Sequence, residues 1–263
     1  MRRLFLTTIL LLLAHASTAA EHDSASCCFL NLRGGVGYGL YRDLGASPLT
    51  YRGLQLHPAL SLSVQRHDWR YEAQLSAAGG GYGLTVGFNY IQAWGGHPVV
   101  RLVASRRMHS ACPWQLWLGA SADNLFDIRY HSSLGNACAG FGNFARLNVE
   151  TSLEYRLCRW IFHTSLQLNL LSLNLRPGFA YMDNFDQDIS SPTANTFDQY
   201  HCYPTLLSGA AANLGATYQL PGGNRVGLSY QWVYLTSRTT TAAPHLFQYA
   251  HHALLFHLGF RLK

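Results

Sequence analysis

The sequence predicts an all-β protein, a transmembrane antiparallel β-barrel of about ten strands in an up-and-down meander. Three observations support this: long segments of alternating apolar and polar residues, few charged residues, and connections that are alternately short and long. The clearest alternation runs from Arg146 to Leu157. Successive side chains of a strand point to opposite faces, so this segment has one apolar and one charged face. Soluble strands average about 5–6 residues, whereas a membrane-spanning strand needs about 9–11.

The composition also favours a transmembrane barrel over a soluble domain. Only 12% of the 263 residues are charged, whereas soluble domains average about 25%. After residue 20 no apolar run approaches the roughly 20 residues of a membrane-spanning helix. The net charge of +6 comes from arginines spread along the chain rather than from one basic cluster. This distribution gives no indication of nucleic-acid binding.

The N-terminus has the pattern of a secretory signal peptide. Met1-Arg2-Arg3 is followed by a short apolar run and then by small residues up to Ala20. We therefore predict a cleaved signal peptide at residues 1–20 and a single barrel domain at residues 21–263.

Ten segments carry the strand pattern. In chain order they are residues 29–41, 54–65, 69–78, 99–106, 114–123, 146–157, 162–170, 206–220, 226–236 and 249–263. Pro58 interrupts the second segment, and we expect a local break there because proline cannot donate to the strand ladder. The alternation slips at Leu170-Leu171, which predicts a β-bulge.

Residues 79–98 allow two interpretations. Gly79-Gly80-Gly81 is either a turn that leads into additional strands, which would raise the count to twelve, or part of a long connection with some strand above the membrane. The other long connections are predicted at residues 42–52, 125–141, 172–204 and 237–248, and the short ones at 66–69, 107–113, 158–159 and 221–224. Transmembrane barrels have short turns on the periplasmic side and longer loops outside, which is the order found here.

At class level the chain resembles bacterial outer-membrane β-barrel proteins. The resemblance covers residues 29–263 and rests on the period-two alternation, on aromatic residues at strand ends and on the terminal strand. The aromatic strand-end residues are Tyr38, Tyr155, Tyr218, Trp232, Tyr234 and Tyr249. The ending Gly259-Phe260-Arg261-Leu262 is similar to the assembly signal of such proteins, although Lys263 replaces the usual terminal aromatic residue. The run at residues 173–178 is similar to that in small uncharacterised barrels of Bacteroidota.

This resemblance implies a location in the bacterial outer membrane, with outer-membrane lipid and the barrel-assembly machinery as partners. The sequence identifies no ligand, no cofactor and no metal site, and we expect no nucleic-acid partner.

The charged faces of the strands predict the contents of the lumen. The predicted ion-pair cluster consists of Arg33, Glu72, Arg101, Arg146, Glu150, Glu154 and Arg156. A ten-stranded barrel has a narrow interior that side chains fill, and charges away from water must pair. We therefore predict a plugged lumen and a surface binding or structural role for the outer loops. The alternative is a narrow channel along the same residues.

A second alternative is a lipid hydrolase. The segment His131-Ser132-Ser133-Leu134-Gly135 is similar to the His-x-Ser-x-Gly motif of outer-membrane phospholipases, which also have an Asn further along. Serine activated by histidine is a nucleophile arrangement. The catalytic candidates are His131, Ser133 and Asn143, although their spacing matches the motif only approximately.

Six cysteines follow the predicted topology. Cys138 and Cys202 fall in outer connections, and we predict a disulfide bond between them. Cys27, Cys28, Cys112 and Cys158 fall on the inner side, where we expect at least one further disulfide. No zinc-binding spacing is present.

Overall fold

The computed structural model describes residues 27–43, 47–86, 89–131, 139–177, 200–238 and 246–262. These residues form eleven β-strands. The strands are β1 Cys27–Asp43, β2 Ser47–Leu56, β3 Ala59–Arg66, β4 Trp69–Val86, β5 Asn89–Ala111, β6 Trp114–His131, β7 Ala139–Leu157, β8 Trp160–Pro177, β9 Tyr200–Gln219, β10 Arg225–Arg238 and β11 Leu246–Arg261. The described residues contain no helix that is long and apolar enough to cross a membrane.

The strands close into a ring. Consecutive strands pair antiparallel with the exception of β2 and β3, and β1 pairs with β11 from Phe29↔Arg261 to Asp43↔Phe247. Strands β2 and β3 both pair with β1 and β4, so they share one position in a ring of ten positions. They are separated at His57 and Pro58, which confirms the predicted break. The structure thus confirms the fold class, an antiparallel up-and-down barrel.

The barrel has two different ends. The connections at residues 67–68, 112–113, 158–159 and 220–224, together with the start of β1 and the end of β11, lie at what we call the turn end. The connections at residues 44–46, 87–88, 132–138, 178–199 and 239–245 leave from the opposite end, the loop end. All five connections predicted to be long lie at the loop end, as the sequence predicts. The predicted lengths of two of them are wrong, because residues 44–46 and 87–88 are no longer than the turns at the other end.

The outer wall is apolar and the lumen is polar. Leu147, which is 54% exposed, alternates along β7 with Asn148, which is 2% exposed. This alternation places the apolar face of the segment 146–157 on the outside and its polar face in the lumen. A barrel in lipid needs this arrangement, because lipid replaces water around the outer wall.

Exposed aromatic residues mark two levels on the outer wall. At the turn end Trp69, Trp114 and Trp160 are the first residues of β4, β6 and β8. Nearer the loop end Trp94 pairs with Tyr130, and both are about half exposed. Twelve residues of β5 separate Trp94 from Arg106, the partner of Trp69. At about 3.4 Å per residue and a tilt of about 40°, this is roughly 30 Å along the barrel axis, the thickness of a bilayer core.

Several strands are longer at the loop end than the alternation predicts. β6 continues to His131 and β8 to Pro177, whereas the sequence suggests loops from residues 125 and 172. β1 likewise extends to Asp43, and β2 begins at Ser47. These predicted boundaries are wrong because apolar side chains also fill the lumen at this end, so the contrast between the two faces disappears.

The region of residues 79–98 belongs to one extended hairpin. Gly79, Gly80 and Gly81 lie within β4 and pair with Gly96, Gly95 and Trp94 of β5. The ladder continues to Val86↔Asn89, so the two strands extend beyond the membrane level without forming additional ones. The twelve-strand alternative is therefore wrong.

The bulge predicted at Leu170-Leu171 is confirmed. In the β7–β8 ladder Leu147 pairs with Leu171 and Asn148 with Asn169, which leaves Leu170 without a partner. The β8–β9 ladder shifts at the same residue. The extra residue keeps Asn169 and Ser172 both buried in the lumen although they are three positions apart.

Strands β2 and β4 approach each other closely at Gly53. A Cβ atom on this glycine would lie 1.9 Å from the carbonyl oxygen of Gly81, so the two backbones must separate to accept any side chain. We predict that Gly53→Ala lowers the free energy of unfolding by about 1–3 kcal/mol, the usual cost of overpacking. The measurement is the urea midpoint at which the folded, fast-migrating gel band disappears.

Gly96→Ala is the matched control, because no heavy atom lies within 4 Å of a Cβ atom at that position. Equal midpoints for the two variants would contradict the close approach of β2 and β4.

Candidate functional site

Ion pairs fill the lumen from the turn end to its middle. Each of the seven charged residues predicted to lie there takes part in one. The pairs are Arg70–Glu154 at 2.5 Å, Arg156–Glu154 at 3.4 Å, Arg33–Glu72 at 3.2 Å, Arg146–Asp123 at 2.5 Å and Arg101–Glu150. Partners come from different strands in most of these pairs, so the ion pairs connect one part of the wall to another.

Side-chain amides surround the Asp123 carboxylate in the middle of the lumen. Its Oδ2 accepts hydrogen bonds from Asn148 Nδ2 at 2.9 Å and from Gln167 Nε2 at 3.3 Å, and its Oδ1 accepts one from Arg146 Nε. Asn169 Nδ2 in turn donates to Asn148 Oδ1 at 3.0 Å. A buried carboxylate with three donors is well compensated, so it does not need water or a mobile ion.

Nearer the loop end than Asp123, a chain of side-chain hydrogen bonds and one longer polar contact crosses the lumen. Tyr249 Oη donates to Gln55 Oε1 at 3.4 Å, and Gln55 Nε2 donates to Tyr82 Oη. Tyr82 Oη lies 3.1 Å from His97 Nε2, and His97 Nδ1 lies 3.4 Å from Asp127 Oδ1. The residues come from β11, β2, β4, β5 and β6, so the chain of contacts links half of the ring.

A buried group of four charged residues lies nearer the loop end. Arg129 Nη2 is 2.6 Å from Asp43 Oδ2, and Arg129 Nε is 2.8 Å from Asp127 Oδ2. Arg176 also binds Asp43 Oδ2. All four side chains are 4% exposed or less. We call Asp43, Asp127, Arg129 and Arg176 the buried charge cluster.

Aromatic residues pack around the buried charge cluster. Tyr41 stacks on Tyr51 with ring centres 5.0 Å apart, and Phe144 stacks on Phe247 at 5.1 Å. The guanidinium of Arg176 lies 4.5 Å from the ring centre of Phe247. These rings and the charge cluster together form what we call the cap. At this level of the barrel, buried side chains occupy the lumen.

Tyr249 belongs to this interior rather than to the outer aromatic residues. The sequence assigns it to the strand-end aromatics, but it is 1% exposed and packs against His97 with ring centres 4.1 Å apart. Tyr249 does lie near the start of β11, but it faces the lumen, as His251 and Leu255 of the same strand do.

A cavity of about 100 Å³ remains in the middle of the lumen, lined by residues that include Arg33, His57, Arg101, Asp123 and His251. It has room for a small cluster of water molecules. Within the described ranges, no three His, Cys, Asp or Glu side chains are placed to hold a metal ion.

Sequence reasoning missed all four residues of the buried charge cluster, since each falls in a segment predicted to be a loop. The available signal was the spacing of two residues in Leu125, Asp127 and Arg129 and again in Ser172, Asn174 and Arg176. These residues continue the series of every second position that faces the lumen in β6 and in β8.

The catalytic candidates are not brought together as far as the structure describes them. Asn143 pairs with Phe126, which is five residues along β6 from His131. At about 3.4 Å per residue, the backbones of His131 and Asn143 are roughly 17 Å apart, too far for an amide to orient an imidazole. Ser133 lies outside the described residues.

The cysteines at the turn end are unpaired in the structure. Cys27, Cys28, Cys112 and Cys158 have free thiols, so the disulfide expected among them is not formed. Cys202 is exposed on β9, and Cys138 lies outside the described residues.

A closed antiparallel barrel with an apolar outer wall, aromatic residues at two levels and a polar interior is the architecture of outer-membrane β-barrel proteins. The chain has the fold of this class. In proteins of this class the short turns lie on the periplasmic side and the longer loops outside.

No protein-family model and no curated protein matches the sequence. Among solved structures the chain is similar to the outer membrane protease OmpT from Escherichia coli, with 7% identity, coverage of 90% of this chain and 96% of that chain, and a TM-score of 0.48. It is also similar to the translocator domain of the autotransporter NalP from Neisseria meningitidis, with 8% identity, coverage of 98% and 97%, and a TM-score of 0.44. For Neisserial surface protein A the identity is 7%, the coverage 88% and 97%, and the TM-score 0.39.

The buried charge cluster predicts a large effect on stability. Arg129→Met leaves Asp127 and part of Asp43 uncompensated in a buried site, which typically costs about 3–5 kcal/mol. We expect the folded gel band to disappear at a much lower urea concentration than for the wild type. Arg52→Met is the control because Arg52 is exposed on the outer wall at the same end. A similar small effect of both substitutions would contradict the role of the cluster.

The bond between Cys138 and Cys202 stays a prediction. We expect peptide mapping of the non-reduced protein to yield a linked pair of peptides that contain these residues, and reductant to separate them. Cys202→Ser should abolish the linked species. Detection of both residues as separately alkylated thiols would contradict the bond.

Proposed function

We propose that this protein is a non-conducting outer-membrane barrel that serves as a rigid support, and that its extracellular connections carry a surface binding or structural role. The observation that supports this most strongly is the cap. Four buried charged side chains and the stacked aromatic residues around them occupy the lumen where the extracellular connections begin.

The electrostatics of the lumen also favour a closed barrel. A permeation path for ions normally presents charges to water, so that an ion can exchange its hydration shell for them. Here the carboxylates of Asp43, Asp123 and Glu154 are each bound by two or more donors from the protein. These groups hold the wall together and have little remaining capacity for a passing ion.

The binding role is assigned to the loop end because the longest connection leaves from it. Residues 178–199 contain Asp183, Asp186, Asp188 and Asp198 but no basic residue. Long loops on a rigid scaffold commonly carry recognition. An acidic connection of this kind suits a basic or cationic ligand better than an anionic one.

Planar bilayers test this proposal directly. We expect the folded wild-type protein to produce no current steps. The double variant Arg129→Ala/Arg176→Ala should produce brief openings, because it leaves two carboxylates in a space that two guanidinium groups had filled. The double variant Arg52→Ala/Arg238→Ala removes the same charge from the outer wall and should stay silent.

Regular current steps from the wild-type protein would overturn the proposal and favour the narrow-channel alternative. The hydrolase alternative has its own measurement, release of fatty acid from phospholipid vesicles. Activity that is lost in Ser133→Ala would establish it and displace the proposal of a support protein.

A further inference from the structure

Three exposed side chains lie next to one another on the outer wall at the turn end. Trp69 of β4 pairs with Arg66 of β3 on one side and with Arg106 of β5 on the other. Arg106 is in turn the partner of Leu118, which is 46% exposed on the outer wall. Because paired residues share a face, both arginines point outwards with the tryptophan between them. The guanidinium of Arg106 lies 6.0 Å from the centre of the Trp69 ring.

This group lies at the boundary between membrane and water. Trp69 shares its level with Trp114 and Trp160, which also follow a turn directly. Trp69 is 42% exposed, and the other two are 45–46% exposed. Tryptophan and tyrosine are enriched at the level of lipid headgroups, both in helical proteins and in barrels. The two arginines are therefore placed where the phosphate groups of one leaflet lie.

The charge of the group is positive. Seven carboxylate side chains fall in the described residues, and six of them point into the lumen: Asp43, Glu72, Asp123, Asp127, Glu150 and Glu154. The seventh, Asp68, accepts hydrogen bonds from Arg107 Nε at 3.1 Å and Nη2 at 2.5 Å. Three guanidinium groups, those of Arg66, Arg106 and Arg107, thus accompany one carboxylate, which gives a net charge of +2.

Apolar surface continues from this group towards the middle of the membrane. Tyr71 stacks on Trp69 with ring centres 6.1 Å apart and planes within 10° of parallel, and it is 48% exposed. Leu118 lies beside the arginines on the same face. A molecule with a phosphate at one end and acyl chains at the other would meet complementary surface along its whole length.

We propose that Arg66, Trp69 and Arg106 form a binding site for the phosphate group of a phospholipid in the periplasmic leaflet. The guanidinium fork donates paired hydrogen bonds to phosphate oxygens, and arginine tolerates the low polarity of an interface better than lysine. Trp69 fixes the headgroup between the two arginines, while Tyr71 and Leu118 contact the acyl chains. The site uses the outer wall only, so it is independent of whether the lumen conducts.

Native mass spectrometry of the protein released from nanodiscs tests the site. The probe is an equimolar mixture of phosphatidylglycerol and phosphatidylcholine, and the readout is the number of each lipid retained per barrel. We expect the wild type to retain phosphatidylglycerol preferentially. Arg106→Gln should reduce this preference roughly fivefold, and Arg66→Gln/Arg106→Gln should reduce it further, from the contribution of each basic residue near an anionic surface.

Arg159→Gln is the matched control, because it removes one exposed positive charge at the same end but in the β7–β8 turn, away from Trp69. Arg106→Lys should restore only part of the preference, since lysine keeps the charge and loses the fork. Heat-modifiable gel mobility verifies that every variant is folded. An equal loss in Arg159→Gln and Arg106→Gln would overturn the proposal, because the preference would then come from the overall charge of this end.

Inorganic phosphate distinguishes a lipid site from a simple phosphate site. Retention of phosphatidylglycerol in excess inorganic phosphate supports the lipid assignment. Displacement of the lipid by phosphate would overturn that assignment and leave a site for soluble phosphate.

Discussion

The interior depends on one contact, in which two arginines from across the lumen bind the Asp43 carboxylate. Arg129 reaches it from β6 and Arg176 from β8, while Asp43 itself ends β1. Two charges on strands that are not neighbours can meet only if the ring has its correct diameter and register. A barrel that closed with another diameter or register would leave one of these charges unpaired in a buried site. Such a barrel would be less stable than the observed one. The stacked rings around the buried charge cluster exclude water and so strengthen the same requirement.

Sequence reasoning succeeds where lipid and lumen differ most in polarity. Along β7 the apolar residues face lipid and the charged residues face one another, so the period of two is visible in the sequence itself. The break at Pro58 and the bulge at Leu170 could also be predicted, because each one interrupts that period or the hydrogen-bond ladder. The side-chain alternation and the hydrogen-bond ladder of a single strand are sufficient to predict these features.

Sequence reasoning fails at the loop end for a physical reason. There Leu125, Phe144 and Leu235 point inwards and pack with buried tyrosines, so apolar residues occur on both faces of the strands. The alternation disappears there, so the sequence of a continuous strand resembles that of a loop. Some residues of the cap lie more than a hundred positions apart, as Asp43 and Arg176 do with a separation of 133. Their convergence follows from ring closure, which no local pattern encodes. The proximity of Arg66 and Arg106 also could not be predicted from a local pattern, because β3 and β5 are separate parts of the chain.

The sparse pairing between β2 and β4 has a mechanical consequence. Only three residue pairs join these two strands, whereas fifteen join β1 to β11, where the two ends of the chain meet. Under a lateral load we expect the wall to separate first between β2 and β4, in the half nearer the loop end, because β3 and β4 have eight pairs in the other half. The ladder between β2 and β4 is thus incomplete, although the two backbones lie close together at Gly53. This weakly paired boundary lies two strands away from the junction of the chain ends, because β1 and β2 stand between them.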